Sequence, residues 1–149
     1  MKIALACDHG AYEYKEILKK ELPLKGYEVI DYGTYSTDSC DYVDFASKAA
    51  RAVASGECER GIVICGTGIG VSMTANKIRG IRCALCSEPF SARLTREHND
   101  SNVLAMGQRV IGEEIMRDIV NVWLTTPFSN GERHINRIKK LTKLESEEN

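Results

Sequence analysis

Neither sign of charge dominates this 149-residue sequence. It holds 20 Lys and Arg against 21 Asp and Glu, a net charge of −1, which leaves no electrostatic case for nucleic acid or an anionic membrane as partner. No apolar run approaches membrane-spanning length, and the opening Met1–Cys7 meets Asp8 and His9 too soon for a secretory signal. A soluble, cytoplasmic protein is expected. Without that signal the six cysteines read as thiols rather than disulfides. Cys7, Cys83 and Cys86 lie in apolar, strand-like runs, where a thiol serves as a small buried hydrophobe. Cys83 and Cys86 point to opposite faces of an extended strand, which disfavours a redox pair. Internal repeats, low-complexity tracts and long linkers are missing too, so residues 1–149 are expected to form one domain.

Several chemical signatures are also lacking. There is no Gly-Lys-Ser/Thr of a P-loop and no Gly-x-Ser-x-Gly elbow. No His-x3-His, His-Glu pair or second cysteine pair suggests a metal, and neither a metal nor any other cofactor is expected.

What is present is a regular alternation of strand and helix signals. Strands are predicted at Lys2–Cys7, Tyr27–Asp31, Gly61–Cys65, Arg82–Cys86 and Val103–Met106. Helices are predicted at Ala11–Lys25, Tyr42–Ser55, from the glycine loop to about Ile78, from Pro89 to about Glu97, at Gly112–Thr125, and from Glu132 to about Leu144, with a fraying acidic tail Glu145–Glu148. Five strands alternating with helices predict a parallel sheet covered on both faces, an α/β fold. Ligands then bind beyond the carboxyl ends of the strands, where Asp8-His9-Gly10, Cys65–Gly70 and Ser87-Glu88 fall. His98-Asn99-Asp100 precedes the last strand and belongs at the opposite edge, so it can join such a site only from another subunit or by an unusual loop path.

The strongest local signal is Cys65, where Ile62-Val63-Ile64 runs into Gly66-Thr67-Gly68-Ile69-Gly70 ahead of a helix. Glycine lets backbone N–H groups approach an anion, and a helix N-terminus adds partial positive charge. A thiol at the mouth of such a loop favours the thiolate, a nucleophile or base. The loop does not fit a dinucleotide fingerprint, whose third glycine is replaced by Val71, nor a Cys-x5-Arg phosphatase loop, which needs arginine at that position. His9 follows Asp8, a carboxylate able to fix its tautomer. His134 lies between Arg133 and the arginine four residues on, Arg137: a basic stripe that is either a solvated helix face or a phosphate clamp.

Taken together, Cys7-Asp8-His9-Gly10, the run from Ile64 to Ser72, Ala75-Asn76-Lys77, Cys86-Ser87-Glu88-Pro89, His98-Asn99-Asp100 and Asn102-Val103-Leu104-Ala105 resemble the type B ribose-5-phosphate isomerases. The resemblance runs in order through nearly the whole chain. It implies a three-layer α/β/α sandwich, Rossmann-like, and a metal-free interconversion of ribose 5-phosphate and ribulose 5-phosphate through a cis-enediolate. The superfamily also contains allose-6-phosphate and galactose-6-phosphate isomerases, so a hexose phosphate or a free aldose stays open as substrate. A non-catalytic sugar-phosphate-binding module is the other alternative. By the resemblance, Cys65 is the base between C1 and C2. Members with serine there use a glutamate on the following helix, and this chain has none between Cys65 and Ile78. Thr67 assists the base, and the backbone of Gly66, Gly68, Ile69 and Gly70 holds the enediolate oxygen. Asp8, Tyr42, Ser72 and Asn99 contact the sugar, and His98 opens its ring. The phosphate falls to His9, Arg109, Arg133 and Arg137. The resemblance further implies a homodimer, or a tetramer, with active sites shared between subunits and the helix at about 132–144 on the partner.

Overall fold

Large and small side chains alternate along the strands, and that alternation decides the layers. In the computed structural model, which describes residues 1–147, the first strand β1 (Lys2–Cys7) turns Ile3, Leu5 and Cys7 to one face and Ala4 and Ala6 to the other. The third strand β3 (Arg60–Cys65) repeats this, with Ile62 and Ile64 on the first face and Val63 and Cys65 on the second. On the bulky face the strands pack against α1 (Tyr12–Leu24), α4 (Pro89–Asn99) and α5 (Glu113–Thr125), through Leu18, Leu22, Met116, Ile119 and Trp123 among others. On the small-residue face they admit the alanine stripe of α2 (Tyr42–Ala54) and the short α3 (Ile69–Asn76). The result is a three-layer α/β/α sandwich.

The remaining elements are β2 (Glu28–Asp31), β4 (Cys83–Leu85), β5 (Val103–Gly107) and α6 (Glu132–Glu147), with a 3-10 turn at His9–Ala11 leading into α1. The sheet has five strands in the order β2-β1-β3-β5-β4, and every pairing is parallel. The chain leaves β1 toward one edge and β3 toward the other. The strand order therefore reverses between β1 and β3, where a ligand crevice opens at their carboxyl ends.

Two sequence expectations shift. β4 is shorter than Arg82–Cys86, because it is an edge strand paired only with β5. The acidic tail does not fray at Glu145: α6 continues through Glu147, and the Glu145 carboxylate accepts the Gly80 N–H at 3.1 and 3.2 Å. Glu148 lies outside the described residues. Cys83 and Cys86 do face opposite layers, and all six cysteines are free.

Candidate active site

Asp8 and Cys65 meet because neighbouring parallel strands end together. Cys7 lies opposite Ile64 in the register, and the Asp8 N–H donates to the Ile64 carbonyl at 3.1 Å. On the other side Cys65 lies opposite Gly107 of β5. The chain after β5 is clipped to the glycine loop by Gln108 N–H to the Cys65 carbonyl and Arg109 N–H to the Gly66 carbonyl, both 2.9 Å. Arg109 can then lay its guanidinium across Gly10 and Gly66: a Cβ on those glycines would stand 3.3 and 3.2 Å from its nitrogens. An exposed cation thus overhangs the carboxyl edge beside Asp8, whose Oδ1 accepts the Gly10 N–H at 2.9 Å.

Inside the loop, Cys65 is 5% exposed and its Sγ accepts the Gly68 N–H at 3.1 Å. Thr67 Oγ1 accepts the Ile69 N–H at 3.3 Å, and Ser72 Oγ donates to the Ile69 carbonyl at 2.8 Å. Two of the N–H groups expected to face a substrate oxygen, those of Gly68 and Ile69, are therefore engaged within the loop. Gly68 has φ +79°, and a Cβ there would overlap Leu85 and lie 2.8 Å from the Met106 carbonyl carbon. Only glycine allows this turn. Tyr42, first residue of α2, packs its ring where a Cβ on Gly70 would fall, 2.8 Å from Cζ. Burial pushes the Cys7 thiol up to about 12 and the Cys86 thiol up to about 11, which keeps both protonated.

His9 is held by a contact that sequence reading missed. Its Nδ1 accepts the Cys40 N–H at 3.2 Å. The bare nitrogen is therefore Nδ1, and a neutral His9 carries its proton on Nε2. Cys40 lies 31 residues away in a polar loop, and no local pattern marks it. Ser87-Glu88, in contrast, is committed to structure: both Glu88 carboxylate oxygens cap α4 by accepting the Ser91 N–H at 2.8 and 3.0 Å.

The remaining predicted residues form a second cluster at the opposite edge. His98 and Asn99 end α4, just before β5, and Arg133 and Arg137 sit exposed on the first turns of α6. The His98 ring packs on His134, centroids 4.4 Å apart, and the Asn99 carbonyl accepts Arg82 Nε at 3.0 Å. The five residues of β5 separate this cluster from Cys65, roughly 15 Å at the rise of a strand. Within one chain the structure brings together Asp8, His9, Tyr42, the Cys65–Gly70 loop, Ser72 and Arg109, and keeps His98, Asn99, Arg133 and Arg137 apart from them.

A thiol on a glycine loop at the switch point of a parallel sheet, overhung by an arginine, is an arrangement suited to acid–base chemistry on a small anionic substrate. The chain belongs to the Ribose/Galactose Isomerase family, which it matches over residues 3–141. It is 49% identical over 148 residues to ribose-5-phosphate isomerase B of Escherichia coli (strain K12), covering 99% of each chain. It is 38% identical over 144 residues to galactose-6-phosphate isomerase subunit LacB of Clostridium acetobutylicum, covering 97% of this chain and 83% of that one. Among solved structures it is similar to Clostridium thermocellum ribose-5-phosphate isomerase B, at 50% identity and TM-score 0.98, with both chains covered completely. Among the described residues no helix is long and apolar enough to cross a membrane.

Proposed function

We propose that this chain interconverts ribose 5-phosphate and ribulose 5-phosphate, with Cys65 as the proton-transferring base. The observation that carries this reading is the Cys65 thiol itself, nearly buried at a strand end, with the Gly68 N–H on its sulfur and Arg109 and Asp8 alongside. In the aldose-to-ketose direction His98 takes the proton of the C1 hydroxyl and returns one to the ring oxygen, which opens the furanose. The Cys65 thiolate then removes the C2 proton, and the C–H electron pair becomes the C1–C2 double bond of a cis-enediolate. Its oxygen is held by the Gly66 and Gly70 N–H groups, with Thr67 supporting the loop. Asp8 moves the hydroxyl proton between O2 and O1, and the thiol returns its proton to C1. Tyr42, Ser72 and Asn99 line the sugar. His9, Arg109, Arg133 and Arg137 hold the phosphate.

The two clusters work as one site in a homodimer in which each chain supplies Cys65 and Arg109 to one site and His98, Arg133 and Arg137 to the other. Support for a second copy comes from exposed apolar side chains: Ile69 and Met73 on the helix that follows the glycine loop, Leu85 against Gly68, and Phe90 at the start of α4. A cytoplasmic setting suits such an enzyme. The similarity to a galactose-6-phosphate isomerase subunit supports a second reading, a hexose 6-phosphate as substrate.

A panel of pentose and hexose phosphates, run with wild type and Cys65→Ala in D₂O, tests both. Ribose 5-phosphate should be the best substrate, and Cys65→Ala should lower kcat by roughly 10²–10⁴, the span of a positioned base. Preference for a hexose 6-phosphate would select the second reading. Full activity in Cys65→Ala would remove Cys65 from the mechanism, and no turnover by wild type would leave a binding module.

A further inference from the structure

His134 is the only buried residue among the described residues of α6, 6% exposed on a helix whose other faces meet solvent or are half-covered. A buried imidazole on a basic helix needs a reason, and its contacts supply one. The ring lies against His98 with centroids 4.4 Å apart and planes inclined by 35°. Its Nε2 accepts Arg133 Nε–H at 3.3 Å, and its Nδ1 is 2.7 Å from Ser129 Oγ. A guanidinium N–H can only donate, so Nε2 is bare and the proton sits on Nδ1, which donates to Ser129. Ser129 is itself tied to α4, its N–H donating to the Glu97 carbonyl at 3.2 Å, one residue before His98. The contacts close a loop: His98 to His134, His134 to Ser129, Ser129 to Glu97.

We propose that His134 is a positioning residue, a neutral ring with both nitrogens engaged that presents His98 and Arg133 to the sugar phosphate in one fixed arrangement. This rests on the roles given above to His98 and Arg133. The surroundings agree with a neutral ring. Desolvation lowers the basicity of His134, and His98, Arg133 and Arg137 lower it further, while Glu97 alone opposes them. A second positive charge there would repel Arg133 and make His98 a poorer proton acceptor. His134 acts through two separable contacts: its ring face steadies His98, and Nε2 anchors Arg133.

The two directions of the reaction separate these effects. Ribose 5-phosphate is cyclic and must be opened. Ribulose 5-phosphate is open-chain, because the oxygen that could close a furanose on C2 carries the phosphate. Deuterium exchange at C1 of the ketose therefore needs the base but not ring opening. His134→Ala should lower kcat on ribose 5-phosphate by about 10- to 100-fold, leave ketose exchange at saturation within about threefold of wild type, and raise KM for both sugars. His134→Phe keeps a ring face but cannot bond Arg133 or Ser129, so it should recover kcat while KM stays high. A residue that merely stabilises the fold would not split kcat from KM in this way. If His134→Ala does not fold, His134→Phe and Ser129→Ala decide, each expected to raise KM without lowering kcat. Unchanged kinetics in these variants, or an equal fall in every measure, would overturn the proposal. His98→Asn is run beside them. If it does not slow ribose 5-phosphate while sparing ketose exchange, the ring-opening role of His98 is at fault, independently of His134.

Discussion

Six thiols occur in this chain, and their surroundings differ. Cys7 and Cys86 are packed among Ile, Leu and Met side chains, where the loss of solvation prevails, at Cys7 even over the Lys15 charge and the Thr34 backbone hydrogen bond. Cys65 ends a strand where the chain turns, so a backbone N–H of its own loop reaches the sulfur. That turn depends on Gly68. Gly68→Ala introduces a Cβ at φ +79° against Leu85 and the Met106 backbone, and should destabilise the fold by about 2–4 kcal/mol. Its activity should fall with it, as the loop backbone leaves Cys65. Urea unfolding beside kcat checks this; a stable and fully active Gly68→Ala would show that the loop tolerates another path. The placement of Cys65 at a strand end ahead of a tight turn was legible in the sequence because strand, thiol and glycines are contiguous there. The Cys40 contact to His9 was not, since α1, β2 and a loop intervene and only folding brings them together.

At the level of elements, the support of the site runs through a buried charge network between α1 and β2. Lys15 is 0% exposed, with Nζ 2.7 Å from Asp31 and 3.1 Å from Glu16, and Lys19 reaches Asp31 at 2.9 Å. Asp31 Oδ1 also accepts the Gly33 N–H at 2.8 Å. The next residues are pinned to the end of β1, with Cys7 N–H on the Gly33 carbonyl and Thr34 N–H on the Cys7 carbonyl. Asp8 and His9 follow directly. Burial alone would raise the Asp31 carboxyl, but Lys15, Lys19 and the Gly33 N–H outweigh it and hold it below its ordinary 3.8. A carboxyl depressed on folding contributes stability above its unfolded value and loses it as pH falls through the folded one. Asp31→Asn should therefore cost about 3 kcal/mol at neutral pH, since it leaves Lys15 poorly compensated. The gap from wild type should narrow below about pH 4. Urea titrations at pH 7 and pH 3 check it, and an equal gap at both would show that the Asp31 charge adds nothing. Periodicity marked α1 and β2 plainly, but a lysine inside an amphipathic helix gives no sign that it will be buried.

For the whole molecule, the arrangement turns on the two clusters at opposite edges of one sheet. If each active site draws Cys65 from one chain and His98 from its partner, two inactive variants can repair one another. Cys65→Ala mixed with His98→Asn, after subunit exchange, should regain about a quarter of wild-type activity, since half the dimers are mixed and each holds one intact site. No recovery, despite exchange shown by mass measurement, would place a complete site within one chain. By itself the sequence determined the alternating α/β order, the strand-end position of Asp8 and Cys65, and the family, because these follow from short-range periodicity and contiguous motifs. Only the tertiary structure decided the strand order that sets Arg109 over Gly10 and Gly66, the burial of Lys15 and His134, and the distance of His98 from Cys65. Each of those depends on which elements lie side by side, and long-range packing leaves no mark in neighbouring residues.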